Sequence, residues 1–379
     1  MKKNIVILTV VAVSFILLLF GALGYPPKSF TGSAWFLTPA IEFARAHMLE
    51  SRLHWAEVGM PFDPPSGNRF VAYPPLFQII ISWFLVPDLA IPLPLQVYVV
   101  LACIHAAVII LSAWGLWMFA ARGGRRVTWI DVAIICASLF LLMRASWSFG
   151  GRPETLLRLW FTIGFVLSLR VSKPSALAGW FGVLLGLAAA PHVLGPFFLA
   201  ALIMAVFAWR YDFARGVRWS AIAFGVGLLV YVLVMQLSPY SIATTLRGIV
   251  ATGSWVVQND VAVPAPSFFE RLLRSKILLF GVLLGLAAAV LACRWFVRAW
   301  RTRAIGSPIL LAVAAVLGSA YLAYPIMVVR SYYIAPFTLL APIALLYALA
   351  RMPERRTVSR LLAVFFCAAV VITLQDLVL

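Results

Sequence analysis

Residues 74–90 read Pro-Pro-Leu-Phe-Gln-Ile-Ile-Ile-Ser-Trp-Phe-Leu-Val-Pro-Asp-Leu-Ala, and the fold turns on whether this stretch crosses a membrane. Its middle is apolar, but Pro74, Pro75 and Pro87 crowd its ends. A helical span needs about 20 predominantly apolar residues, and prolines at both ends leave too few. The stretch therefore reads as a re-entrant or interfacial helix. That choice fixes the sidedness of every loop after it.

The surrounding chain has 379 residues, of which 64% are hydrophobic and 11% charged. Soluble domains are roughly half apolar and a quarter charged, so the composition gives an all-α polytopic membrane protein, a single transmembrane domain over 1–379. Apolar runs predict about 11 spans, near 4–24, 94–121, 127–147, 155–170, 175–191, 193–209, 218–238, 276–293, 306–326, 332–350 and 359–377. Ile5 to Leu23 follows Lys2-Lys3 like a signal peptide. However, it is near full spanning length and lacks a small-x-small cleavage site, so it reads as a retained anchor.

A net charge of +18 in a soluble chain would suggest nucleic acid. Here the positive-inside rule accounts for it without a nucleic-acid partner. With 74–90 left out of the spans, Lys2-Lys3, Arg122 to Arg126, Arg170 with Lys173, Arg210 to Arg218, Arg294 to Arg303 and Arg351 to Arg360 fall on one side. That side holds 18 of the 30 Lys+Arg and three of the 12 acids, Asp131, Asp212 and Glu354. The asymmetry places the N-terminus in the cytoplasm and the C-terminus outside; counting 74–90 as a span destroys it. Cys103, Cys136, Cys293 and Cys367 show no CxxC spacing, so they give neither a disulfide framework nor a metal site.

The longest polar stretch lies in the first outer loop, 25–92, and holds Glu42, Glu50, Glu57, Asp63, His47 and His54. Within it Thr38-Pro39 reads as an N-cap with proline at the first helical position, opening an amphipathic interfacial helix. A second outer loop, 239–275, is placed to cover a cavity. Ionisable groups at membrane depth are costly and point to function, which singles out three further places. Arg152-Pro153-Glu154 with Arg158 sets an i,i+4 pair at the outer end of a span, either a snorkelling pair or a clamp for phosphate or sugar hydroxyls. His192 follows Pro191 at a turn between spans. Arg330 with Tyr332 and Tyr333 fits an aromatic belt and equally a lipid phosphate site.

Taken in order, these motifs resemble the GT-C superfamily of membrane glycosyltransferases that use polyprenyl-phosphate sugars, including the protein mannosyltransferases and the aminoarabinose lipid A transferases. The matching elements are a first span followed by a long outer loop with the helix Ser33-Ala34-Trp35-Phe36-Leu37-Thr38-Pro39, then Tyr73-Pro74-Pro75-Leu76, Arg152-Pro153-Glu154, and Arg330-Ser331-Tyr332-Tyr333 with Pro336. The resemblance implies a transferase of the bacterial inner membrane that moves a sugar from a polyprenyl-phosphate donor lipid to a glycan, lipid or protein acceptor. It implies inversion by a loop carboxylate acting as base, and membrane lipids as surroundings. Those enzymes carry an Asp just after the first span, where this chain reads Phe30-Thr31-Gly32-Ser33-Ala34-Trp35. The base therefore falls to Asp63, then Glu57, with Glu42 third. Arg152, Glu154, Arg158, His192, Arg330, Tyr332 and Tyr73 are the substrate-binding candidates. No tightly bound cofactor is expected, only a weakly held divalent cation at most. The alternative is a lipid-linked-sugar transporter or a non-catalytic membrane protein that keeps this fold.

Overall fold

The computed structural model describes residues 2–24, 32–50, 74–149, 151–190 and 195–260, with isolated positions between 297 and 346. Among them the chain is helical: α1 (Lys2–Gly24), α2 (Gly32–Ala46), α3 (Leu76–Trp83), α4 (Leu93–Ala120), α5 (Trp129–Phe149), α6 (Glu154–Arg170), α7 (Pro174–Ala189), α8 (Gly195–Arg210), α9 (Phe213–Met235) and α10 (Ile242–Asp260). Two of these, α4 and α9, are long and apolar enough to cross a membrane. The expected spans beyond residue 260 lie outside the described residues or touch them only at single positions.

α3 covers only part of the opening stretch, Leu76–Trp83. Its eight residues rise about 12 Å at 1.5 Å per residue, less than half of a bilayer's hydrocarbon thickness. α2 departs from expectation. It begins at Gly32, and Pro39 lies inside it rather than at its start. Proline inside a helix sacrifices a backbone hydrogen bond; here packing compensates, because Phe36, Leu37 and Ala40 around it are buried. α2 closes at His47, whose φ of 53° is the left-handed conformation of a helix cap, with its N–H donating to the Phe43 carbonyl at 3.0 Å. The stretch 239–275, read from sequence as a loop, opens with the helix α10. Ser241 caps it, its hydroxyl accepting from the Thr244 N–H at 3.2 Å.

Three apolar clusters hold the bundle. One joins α1, α4, α5 and α6 through Ile7, Ile109, Leu116, Ile135, Leu142 and Phe161. Another joins α6 to α9 through Leu157, Phe181, Ile203, Phe207 and Ala223. Within it α7 and α9 approach closely. A Cβ on Gly182 would stand 2.7 Å from the Ala223 carbonyl oxygen, and one on Gly186 would stand 2.6 Å from that of Gly227. Glycines four residues apart thus line one face of α7 and let the backbones meet. The third cluster sets Phe36, Ala40 and Leu49 against Phe77 and Ile81 of α3, Leu93 and Val97 of α4, and Leu156 of α6. It forms a cap over one end of the bundle.

The opposite end carries the cations. Lys3 donates to the Val127 carbonyl and lies 5.6 Å from the centre of the Trp129 ring. Arg122 stacks 4.8 Å over Trp209, and Arg170 stacks 5.0 Å over Trp114. Arg210 donates to the carbonyls of Ser168 and Val171. These contacts bring together the start of α1, the start of α5 and the ends of α4, α6 and α8. The basic clusters that the sequence assigns to one side are therefore gathered at one end of the bundle among the described residues.

Candidate functional site

The cap end positions Arg152, Glu154 and Arg158. Glu154 is the first residue of α6 and Pro153 its N-cap. An acid there suits the positive end of the helix dipole. Its carboxylate is buried and receives the Arg152 guanidinium, Nε at 3.2 Å and Nη2 at 3.2 Å. The Arg152 side chain is 12% exposed and that of Glu154 1%, so the arginine shields the acid and keeps an edge at the surface. The flat face of Arg152 lies 4.9 Å over the Phe36 ring. α2 thereby becomes part of the site, a cation–π contact holding the guanidinium in place. Arg158, one turn further along α6, is fully buried. It donates to the Leu142 carbonyl at 3.5 Å.

The Arg152 guanidinium is pre-oriented, gripped by Glu154 on one edge and by Phe36 on one face. Such an arrangement suits an anionic group carrying several acceptor oxygens, and it costs little reorganisation when the anion arrives.

Two further contacts converge on the cap. The Leu76 N–H, at the start of α3, donates to the Ala190 carbonyl at 3.2 Å, placing the Pro74-Pro75 corner at the end of α7. The Tyr240 hydroxyl donates to the Leu49 carbonyl at 2.9 Å, tying the region after α9 to the end of α2. Thus two parts of the sequence pattern, the first-loop helices and Arg152-Pro153-Glu154, come together in space. Glu42 lies on α2, is buried, and approaches Arg45 at 4.0 Å. Asp63, Glu57, Tyr73, His192, Arg330 and Tyr332 lie outside the described residues. No group of three metal-ligating side chains occurs among the described residues.

Sequence reading missed three polar groups. Gln78 of α3 is fully buried, Gln96 of α4 nearly so, and His105 of α4 is 3% exposed. A signal existed for each: a polar or ionisable residue inside an apolar run. It was overshadowed by the denser polar sequence of the first loop. Phe36 was also missed as a partner for Arg152, because a cation–π pair between residues 36 and 152 leaves no trace in spacing. Comparison with known protein families, with curated proteins and with solved structures finds no match to this chain.

Proposed function

We propose that the chain is an integral glycosyltransferase of a bacterial inner membrane, of the GT-C type that it resembles. It transfers a sugar from a polyprenyl-phosphate donor to a glycan, lipid or protein acceptor on the outer face. In this reading the basic end faces the cytoplasm, the cap end faces outward, and about 11 helices span the bilayer. The observation that carries it is the Arg152–Glu154–Arg158 cluster held under α2 at the end away from the basic clusters. An anionic lipid headgroup arriving from the outer leaflet would meet Arg152 there.

The chemistry is a single displacement with inversion. The acceptor hydroxyl oxygen forms a bond to the anomeric carbon as the bond from that carbon to the phosphate oxygen breaks. The acceptor proton passes to a first-loop carboxylate, Asp63 or Glu57. The electron pair leaves with the polyprenyl phosphate, whose developing charge Arg152 stabilises. Glu154 keeps Arg152 in position. The rival reading, a lipid-linked-sugar transporter on the same fold, draws on one observation: residues 30–35 lack the acid that such transferases carry.

The test is transfer of radiolabelled sugar from polyprenyl-phosphate donors to membrane acceptors by the purified chain. Arg152→Lys should lower the rate at least a hundredfold, as loss of one pre-oriented donor typically does. Either Asp63→Asn or Glu57→Gln should abolish transfer while donor binding persists. Donor binding without transfer in the unaltered chain would favour the transporter.

A further inference from the structure

Two glutamines are buried at the cap end, and the fold treats them differently. Gln96 is fully engaged. Its oxygen accepts from the Val86 N–H at 2.8 Å, and its amide donates to the carbonyls of Val86 at 3.0 Å and Ile91 at 2.8 Å. It staples the connection between α3 and α4. Gln78 is less accessible still, with 0% exposure, yet neither its oxygen nor its nitrogen has a hydrogen-bond partner among the described residues. Burying an amide that way gives up its hydration with no return. The other buried positions of α3 include the apolar Phe77, Ile79 and Ile81, so an apolar side chain at 78 would serve the fold better.

The position of Gln78 gives that cost a purpose. Phe77, its neighbour, packs in the same cluster as Phe36, on which Arg152 lies. Two residues earlier, Leu76 is bonded to Ala190 at the end of α7. Gln78 therefore belongs to a helix held between the roof of the arginine cluster and the end of α7.

We propose that Gln78 is a specificity-determining residue that holds a neutral, hydroxyl-bearing group. On the transferase reading above, on which this inference rests, that group is the sugar being transferred. The amide offers a donor and an acceptor side by side. A hydroxyl, or a pair of adjacent hydroxyls, accepts from the nitrogen and donates to the oxygen, satisfying both. A phosphate or carboxylate supplies acceptors only, and would set its charge against the glutamine oxygen. The labour divides accordingly: Arg152 holds the anion and Gln78 reads the neutral headgroup beside it.

The experiment measures binding to the purified full-length chain of undecaprenyl phosphate and of its glucosyl, mannosyl and galactosyl derivatives, together with thermal unfolding. The unaltered chain should bind at least one glycosylated lipid tenfold or more tighter than bare undecaprenyl phosphate. Gln78→Leu should bind the bare phosphate lipid unchanged and lose that tenfold increment, the size of one to two ordinary hydrogen bonds. Its unfolding temperature should hold or rise. If Gln78→Leu does not fold, Gln78→Met, which keeps the length of the side chain, makes the same measurement. A variant that keeps the full increment overturns the inference and makes Gln78 a core residue, while the transferase reading stands. An unaltered chain that prefers no glycosylated lipid also overturns it and leaves only an anion site. If the unaltered chain binds none of the four lipids, the transferase reading falls and the sugar role of Gln78 falls with it.

Discussion

The two ends of the bundle handle positive charge in opposite ways. At the basic end three arginines use their donors or flat faces across the bundle: Arg122 on Trp209, Arg170 on Trp114, Arg210 on two backbone carbonyls. The one buried acid there among the described residues, Asp131, is surrounded. It accepts from Arg125 at 3.0 and 3.1 Å and from the Thr128 N–H and hydroxyl at 2.7 and 2.8 Å. The Asp131 N–H donates back to the Thr128 hydroxyl at 3.3 Å, a capping box at the start of α5. At the cap end the charges turn inward: Glu154 and Arg158 are buried, and only an edge of Arg152 reaches the surface. Cations at a surface can fasten helices at little cost because water screens them. Cations carried into an apolar interior need another justification, and the anionic ligand proposed above is one.

The largest expected effect is at the cap. Arg152→Ala removes the paired guanidinium from the buried Glu154 carboxylate, a change that costs about 3–5 kcal/mol in unfolding free energy and removes binding of a lipid phosphate. Arg152→Lys keeps the charge but gives up the two-pronged grip, so it should retain most of the stability while binding the lipid phosphate more weakly. Chemical unfolding in detergent, measured alongside lipid binding, separates the two effects. Arg152→Ala as stable as the unaltered chain would erase the contrast between the ends.

Much of this fold is legible from hydropathy, because long apolar runs have few alternatives to a helix. α4 and α6 begin within one residue of expectation, since Pro92 and Pro153 mark their starts. α9 begins at Phe213, five residues before the apolar run suggests. Arg215 and Arg218 make its first turn look like loop, and the Asp212 side chain caps it by accepting from the Arg215 N–H at 2.9 Å. Pro39 misled for the converse reason: a local rule favoured a helix start there, and burial of Phe36 and Leu37 against α3 overrode it. At the site, Arg152, Glu154 and Arg158 stood out because ionisable residues in apolar sequence are rare. Phe36 and Gln78 did not, since apolar surroundings conceal one and only the absence of a partner distinguishes the other.

A smaller effect is expected from removing the buried acid of the basic end. Asp131→Ala deletes the capping box and the Arg125 pair, at about 1.5–3 kcal/mol, the scale of hydrogen bonds to a charged group. It should cost less than Arg152→Ala because Arg125 is 25% exposed and can return to water, whereas Glu154 cannot. Lipid binding per folded molecule should not change. A variant that loses lipid phosphate binding as fully as Arg152→Ala would mean that the two ends act on one site.

The smallest effect tests what the surface arginines contribute. Arg170 lies over Trp114, itself 43% exposed, and approaches the Met118 sulfur at 3.0 Å. Exposed cation–π pairs contribute about 0.5–1 kcal/mol, so Arg170→Gln should weaken the fold by no more than that. A double-mutant cycle with Trp114→Leu isolates the pair from the loss of either side chain alone. A coupling of about 0.5–1 kcal/mol means that this end is latched helix to helix by its arginines. A coupling near zero assigns those arginines to the surrounding phase instead. Fastening would then rest on the backbone contacts of Arg210 and on Asp131, and the difference between the two ends would become one of burial alone.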